Sequence, residues 1–287
     1  MIRKFFKNLL SAKAKFKEFY LIENDSDVSL LIKFFKKEKT IGIDTEFDWR
    51  NTYYPKLSLL QISFKDIIFI IDCIKCKNLS FLKNYLEDQN LNVIFHSSRS
   101  DCTVLSTNLN IKIKKAYDIQ VAEKVINGGI VKNYGSIVNK YFSITLAKNQ
   151  TNSNWLKRPF TDNQLSYAAE DVNFLIEIYQ KQLKLLKKLG KIKEVYTESI
   201  NEIKKGNQDL IVSRLSKLKK TSQKEKEVFL WREKEASIHN VPTSYIFRDN
   251  DLSNLVLALT RKSNLKKRLF KILGNNEFVD SFMKKFS

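Results

Sequence analysis

Asp44-Thr45-Glu46 closes the apolar stretch Ile41–Ile43. On a strand, residues two apart point the same way, so both carboxylates reach one spot. Two carboxylates pushed together repel, and a cation is the simplest group that neutralises them. Many surfaces carry such a pair, so the reading depends on further acids. Asp101 follows the apolar run Val93–Phe95 and falls at the start of the next helix, at the same edge of a sheet. Tyr167 and Asp171 are four apart on a helical stretch and so share one face, one turn apart. Ala168 and Ala169 between them leave room for close packing against a sheet, and Glu170, on another face, is expected in solvent. Asp44, Glu46, Asp101 and Asp171 thus form a candidate four-carboxylate cluster with Tyr167 beside the last.

The remaining candidate ligands do not combine in this way. Cys73 and Cys76 form a C-x-x-C pair with no second pair to complete a zinc site, so their expected role is structural. His96 and His239 are too far apart to make a paired-histidine site. Three cysteines build no disulfide framework and point to a reducing compartment.

The elements that position these acids follow from periodicity. Short apolar runs at 20–22, 40–44, 57–63, 67–71, 93–95 and 116–117 read as strands, with Lys65-Asp66 in a turn. Residues 79–86 and 99–105 read as helices. So does the segment following Ser26 or Asp27, whose apolar face is Val28, Leu31, Ile32, Phe34 and Phe35. Beyond residue 117 the pattern is helical almost to the end. Strands in hairpins followed by strand–helix alternation predict an α/β fold, a mixed sheet flanked by helices.

Lys and Arg outnumber Asp and Glu by 51 to 31, a formal charge of +20. Such a field attracts polyanions, of which nucleic acid is the commonest large one. The excess is mostly Lys, 42 of 51 by count, as an AT-rich genome writes whatever the function. No apolar run approaches the ~18–20 residues of a membrane span, which predicts a soluble protein with no membrane partner; with the reducing compartment read from the cysteines, the expected location is cytoplasmic. Residues 1–18 are basic and nearly acid-free, and read as an N-terminal arm or helix rather than an organelle-targeting segment. Between Lys181 and Lys226 lie 14 basic and 5 acidic residues, a solvated linker helix or a phosphate-tracking surface. Beyond it a compact helical unit is expected, built on Val228, Phe229, Trp231, Leu255, Leu269 and Phe278 among others.

Three runs carry a family resemblance. Ile43-Asp44-Thr45-Glu46-Phe47, then Thr52-Tyr53-Tyr54-Pro55-Lys56-Leu57 and Leu60-Gln61-Ile62, resemble the first exonuclease motif of the ribonuclease D family. Phe95-His96-Ser97-Ser98-Arg99-Ser100-Asp101 resembles the second. Arg158-Pro159-Phe160-Thr161, Gln164-Leu165, Tyr167-Ala168-Ala169 and Asp171-Val172 resemble the third, in the tyrosine subtype of the four-acid (DEDD) 3′–5′ exonucleases. Trp231-Arg232-Glu233, Ala236, Asn240-Val241-Pro242, Ile246 and the stretch from Asp249 to Leu255 look like the helical (HRDC) domain shared with RecQ-type helicases. The resemblance implies a ribonuclease-H-like mixed sheet followed by a small all-α domain. The implied divisions are a basic arm at 1–18, an exonuclease domain at 19–195, a basic helical linker at 196–220 and the helical domain at 221–287.

It further implies hydrolysis of the terminal phosphodiester of RNA, such as a tRNA precursor, releasing 5′-mononucleotides. Two divalent cations, Mg²⁺ or Mn²⁺, would flank the phosphate about 3.5–4 Å apart. Asp44 would bridge both, Glu46 and Asp171 would hold the water-activating ion, and Asp101 would anchor the second. Tyr167 would orient the attacking water. Phe47 could pack under the terminal base. His96 is a substrate contact or a hydrogen-bonded core histidine, and Gln61 reaches the site edge or satisfies backbone. Trp155, Lys157 and Arg158 combine an aromatic with cations, a phosphate- and base-binding mixture, with an anchoring Trp155 as the alternative. Where the family shows Asp-Lys-Ser and Asp-Trp, this chain has Ala147-Lys148-Asn149 and Asn154-Trp155, which bears on substrate preference. The expected protein is a monomeric exoribonuclease. A single-stranded DNA exonuclease and a catalytically silent RNA-binding protein are the alternatives.

Overall fold

A computed structural model of the chain describes residues 3–5, 16–146, 150, 152–218, 221–260 and 263–286. Most of the basic arm and the Ala147-Lys148-Asn149 departure lie outside the described residues. The chain divides into two compact units, one comprising Met1–Asp48 with Lys56–Asn207 and the other Trp49–Pro55 with Gln208–Ser287.

The first unit is built on a seven-stranded sheet. Its strands are β1 (Arg3–Phe5), β2 (Glu18–Ile22), β3 (Thr40–Asp48), β4 (Lys56–Ser63), β5 (Ile67–Asp72), β6 (Asn92–Phe95) and β7 (Ala116–Asp118). The spatial order is β1-β2-β5-β4-β3-β6-β7. β3, β4 and β5 pair antiparallel, whereas β6 and β7 join β3 in parallel. A mixed sheet results, as the alternation of hairpins and strand–helix units predicts. β1, within the expected arm, adds an antiparallel edge strand.

Helices cover both faces. α1 (Val28–Lys37), α2 (Leu82–Leu86) and α3 (Arg99–Leu109) close over Ile41, Ile43, Val93 and Phe95, all fully buried. α4 (Ile119–Ile126), α5 (Tyr134–Phe142), α6 (Asp162–Asn173) and α7 (Leu175–Leu189) cover the other face over Leu59, Ile68, Ile70 and Ile94. α8 (Ile192–Gly206) packs beside α3 and β7. Gly206 makes that approach possible, since a Cβ there would meet the Arg99 carbonyl oxygen at 2.5 Å. The expected linker at 196–220 is therefore no free helix, because its first half belongs to the sheet unit.

The second unit contains α9 (Leu210–Leu215), α10 (Gln223–His239), α11 (Thr243–Ile246), α12 (Leu252–Leu259), α13 (Leu265–Leu273) and α14 (Asn276–Phe286). Ser222 starts α10 with a capping box to Glu225, and Asn240 ends it in a left-handed cap. The core includes Val228, Phe229, Trp231, Leu255, Leu269 and Phe278, as expected, and also Phe282 and Tyr53. Glu233 is fully buried there and receives hydrogen bonds from Tyr53 Oη (3.1 Å), Arg214 (2.9 Å) and Arg232 (3.2 Å). Among the described residues no helix is long and apolar enough to cross a membrane.

Candidate active site

β3 brings Asp44 and Glu46 to one side of the sheet, and α6 lies across β3, β4 and β5 on that side. The alanines make this possible. Ala168 and Ala169 are buried, so helix and sheet approach closely enough for Asp171 to meet the strand acids. A capping box between Thr161 and Gln164 fixes where α6 begins, and hence the turn on which Tyr167 and Asp171 fall. Ligand oxygens of Asp44, Glu46 and Asp171 all lie within 4.8 Å of one another, and the three residues are half-buried.

Asp101 stands apart from this trio, on the first turn of α3, and is 5% exposed. Its Oδ1 accepts a 2.6 Å hydrogen bond from Thr45 Oγ1. The loop before it is tied down by Asp118, whose carboxylate accepts the backbone N–H groups of Ser97 (3.0 Å) and Ser98 (2.7 Å). Ser97 takes a left-handed conformation, φ 66°, at this bend. Neither Thr45 nor Asp118 stood out in the sequence. Strand alternation turns Thr45 away from the acids, and Asp118 looks like an ordinary helix cap, which it also is.

The electrostatics of this cluster are unbalanced. Burial pushes the Asp44 carboxyl up to about 7. Burial, then Asp44, Asp171 and Asp101, push Glu46 up to about 10. Asp101 and Asp171 are raised well above the ordinary range, chiefly by burial and next by Asp44. A hydrogen bond from Tyr167 works in the opposite direction on Asp171. Among the described residues no Lys or Arg forms an ion pair with any of the four. An all-oxygen cluster of this kind either holds protons or holds a hard divalent cation, and its donor set fits the latter.

The residues expected at the substrate distribute differently. The pairing of β3 with β4 shifts register between Glu46 and Phe47. Phe47 is half-buried and belongs to none of the three apolar clusters formed by the described residues. His96 is engaged internally. Its Nε2 lies 3.3 Å from the Lys132 carbonyl and 3.3 Å from Gln120 Nε2, and burial lowers its pKa. Trp155 is 3% exposed and packs 6.1 Å from the Tyr167 ring, as a support rather than a free face.

Arg158 uses its guanidinium on Asp72 (2.8 and 2.8 Å) and the Trp155 carbonyl (2.6 Å), and stacks on Phe160 at 4.0 Å. It anchors the segment before α6. Gln61 is fully buried and touches no solvent, which corrects the expectation of a substrate contact. Glu170 corrects another: it is 5% exposed, packed inside rather than solvated. Cys73, Cys76 and Cys102 are free thiols, and burial raises the pKa of each.

The chain is similar to known exonucleases. Residues 19–187 match the family model described as 3′-5′ exonuclease. Ribonuclease D of Desulfotalea psychrophila is 30% identical over 244 residues, covering 81% of this chain and 65% of that protein. The chain spans about two thirds of the length of that relative and of the Gluconacetobacter diazotrophicus one. The crystal structure of Escherichia coli RNase D, described as an exoribonuclease involved in structured RNA processing, superposes with a TM-score of 0.80 at 21% identity. That match covers 93% of this chain and 75% of the other. Brucella melitensis NrnC with bound Mg²⁺ gives a TM-score of 0.57 at 19% identity, over 71% of this chain and 98% of that one. With a family match that takes in all four acids and the tyrosine, the chain belongs to the 3′–5′ exonuclease family and is similar to the ribonucleases D.

Proposed function

We propose that the protein is a divalent-cation-dependent 3′–5′ exoribonuclease that trims the 3′ ends of tRNA precursors or other small structured RNAs. The observation that carries this reading is the convergence of Asp44, Glu46 and Asp171 within 4.8 Å, with Asp101 held alongside and Tyr167 hydrogen-bonded to Asp171. In the reaction, a water oxygen bonds to the terminal phosphorus and the bond from phosphorus to the 3′ oxygen breaks. The proton lost by the water is balanced by one taken up at the departing 3′ oxygen. A 5′-mononucleotide leaves, and the RNA is one residue shorter.

Two divalent cations, Mg²⁺ or Mn²⁺, would neutralise charge at the phosphate and supply Lewis acidity. Asp44 would serve both, Glu46 and Asp171 one of them, and Asp101 the other, in keeping with its separate place on α3. Tyr167, fixed by Asp171 and supported by the Trp155 ring, orients the attacking water with its hydroxyl. An ordinary tyrosine, with a pKa near 10, is a poor base at neutral pH, so orientation is its contribution. Phe47 offers a ring under the terminal base, a contact tolerant of base identity. The excess of positive charge favours a polyanionic substrate. We further propose a cytoplasmic monomer whose C-terminal helical unit contacts nucleic acid or a partner protein.

The test is degradation of a 3′-extended tRNA-like RNA and a matched DNA, with Mg²⁺, Mn²⁺ or EDTA, by wild type and Asp44→Ala. Cation-dependent release of 5′-mononucleotides from RNA, absent in the variant, is the expected result. Release from DNA alone would transfer the reading to a DNA exonuclease. Binding of RNA without release would make the protein a silent binder.

A further inference from the structure

Gln61 lies in the middle of β4 with no exposed surface, and neither its Oε1 nor its Nε2 has a hydrogen-bond partner. A buried amide left unpaired is costly, and the flanking positions Leu59, Leu60 and Ile62 are filled by fully buried apolar side chains. A Leu or Met would suit the packing, so the amide calls for an explanation outside packing.

The sheet register supplies one. Gln61 is directly opposite Asp44 in the antiparallel pairing of β3 with β4. Directly opposed residues put their side chains on the same face, with Cβ atoms about 4.5–5.5 Å apart. A glutamine amide spans that gap to a carboxylate. On its other flank Gln61 is opposite Ile70 of β5, which offers no polar side chain. Along β3 the diagonal neighbours on that face are Gly42, which has none either, and Glu46. Asp44 is thus the hydrogen-bonding side chain that the strand pairing sets straight across from the orphaned amide.

We propose that Gln61 is a positioning residue for Asp44 when cations are bound: its Nε2–H, which has no partner here, then donates to one carboxylate oxygen and so fixes the orientation in which the other is offered to the cations. The inference rests on the two-cation reading above and extends it to a residue buried behind the site. Partners of metal ligands of this kind typically change metal affinity by about 10–100-fold when removed. The amide's burial is then a stability cost accepted for the site, and its removal from the cation-free protein should relieve that cost.

The experiment compares wild type, Gln61→Met and Ile62→Val by Mn²⁺ titration calorimetry and by thermal melting in EDTA. Gln61→Met keeps the volume and removes the amide. Ile62→Val loosens the same strand from its opposite face. The expected result is Mn²⁺ binding at least about tenfold weaker in Gln61→Met, with an EDTA melting temperature unchanged or raised by about 2–4 °C. Ile62→Val should melt lower and bind Mn²⁺ like wild type. A less than tenfold change of affinity in Gln61→Met overturns the inference whatever its melting temperature. So does a loss of affinity that Ile62→Val reproduces, since general loosening of the strand would then explain it. Wild type that takes up no Mn²⁺ overturns the two-cation reading and this inference with it, whereas wild-type uptake that Gln61→Met matches overturns this inference alone.

Discussion

Thr45 Oγ1 lies 2.6 Å from Asp101 Oδ1 in a buried setting, so the residue between Asp44 and Glu46 on β3 holds the acid of α3. Strand alternation turns Asp44 and Glu46 towards α6 and Thr45 towards the opposite face, where α3 packs. The strand end thereby organises acids from two elements at once. Three residues in sequence bear on three of the four carboxylates, and α6 places the fourth.

Thr45→Val keeps the shape of the side chain and deletes the donor. Asp101 then loses the bond that orients it, and metal affinity should fall about 10–100-fold. Thr45→Ser, which keeps the hydroxyl, should restore most of it. Mn²⁺ titration of the two variants checks this; equal affinities in both would show that the hydroxyl does not position Asp101.

The raised carboxylates make stability depend on pH in a definite direction. In the folded protein Asp44 titrates at about 7 rather than 3.8, and Glu46 at about 10 rather than 4.5. Their folded pKa values exceed the unfolded ones, so without a cation the folded state binds more protons than the unfolded state. Stability is then fully present below about pH 4 and lost as pH rises through 7 towards 10. Melting in EDTA should therefore fall between pH 5 and 9. With saturating Mn²⁺ the ionised carboxylates are favoured and the fall should flatten or reverse. Parallel curves with and without Mn²⁺ would contradict the assignment of these acids to a cation site.

Tyr167→Phe keeps the ring that packs against Trp155 and deletes the hydroxyl bonded to Asp171. If the hydroxyl orients the attacking water, kcat should fall by about 10²-fold. Mn²⁺ affinity should fall as well, by about 10–100-fold, since the hydroxyl holds a proposed ligand. Single-turnover hydrolysis at saturating Mn²⁺ beside calorimetry separates the two effects, and full activity there would make Tyr167 a structural partner of Asp171 instead.

Phe47→Ala tests the other contact proposed for the substrate. Stacking of a base on an aromatic ring contributes about 1–3 kcal/mol. Affinity for a short single-stranded RNA should therefore drop by roughly 5–150-fold. Since Phe47 belongs to none of the apolar clusters, the melting temperature should stay within a few degrees of wild type. Unchanged RNA affinity, measured by fluorescence anisotropy, would remove Phe47 from the binding surface.

What the sequence made legible was whatever depends on local period. Asp44 and Glu46 were paired by the two-residue repeat of a strand, Tyr167 and Asp171 by one helical turn, and Asp101 by the strand–helix alternation that returns each helix to the same sheet edge. What it hid depends on partners far along the chain. Arg158 beside Trp155 looks like a phosphate- and base-binding mixture until Asp72, 86 residues away, claims its guanidinium. Tyr53, in a hairpin between two strands of the sheet, belongs to the core of the second unit through Glu233, 180 residues on. Gln61 reads as a polar residue at a site edge because nothing local reveals that both faces of β4 are closed.

Arg158 provides the sharpest separation of anchoring from binding. Its two bonds to Asp72 form a bidentate pair, and the Asp72 side chain is fully buried. Arg158→Ala leaves that buried carboxylate without its cation, held by the Ile74 and Lys75 backbone N–H groups, at a cost of about 3–5 kcal/mol, or a melting temperature lower by roughly 6 °C or more. A phosphate-binding arginine behaves differently: its loss weakens RNA binding and reduces the slope of log affinity against log salt by about one. Filter binding of RNA across a salt series, well below the melting temperature of the variant, distinguishes the two. The anchoring geometry predicts an unchanged slope with a large loss of stability, and Arg158→Lys, which keeps the charge but not the fork, should recover only part of that stability. A reduced slope with little loss of stability would return Arg158 to the substrate.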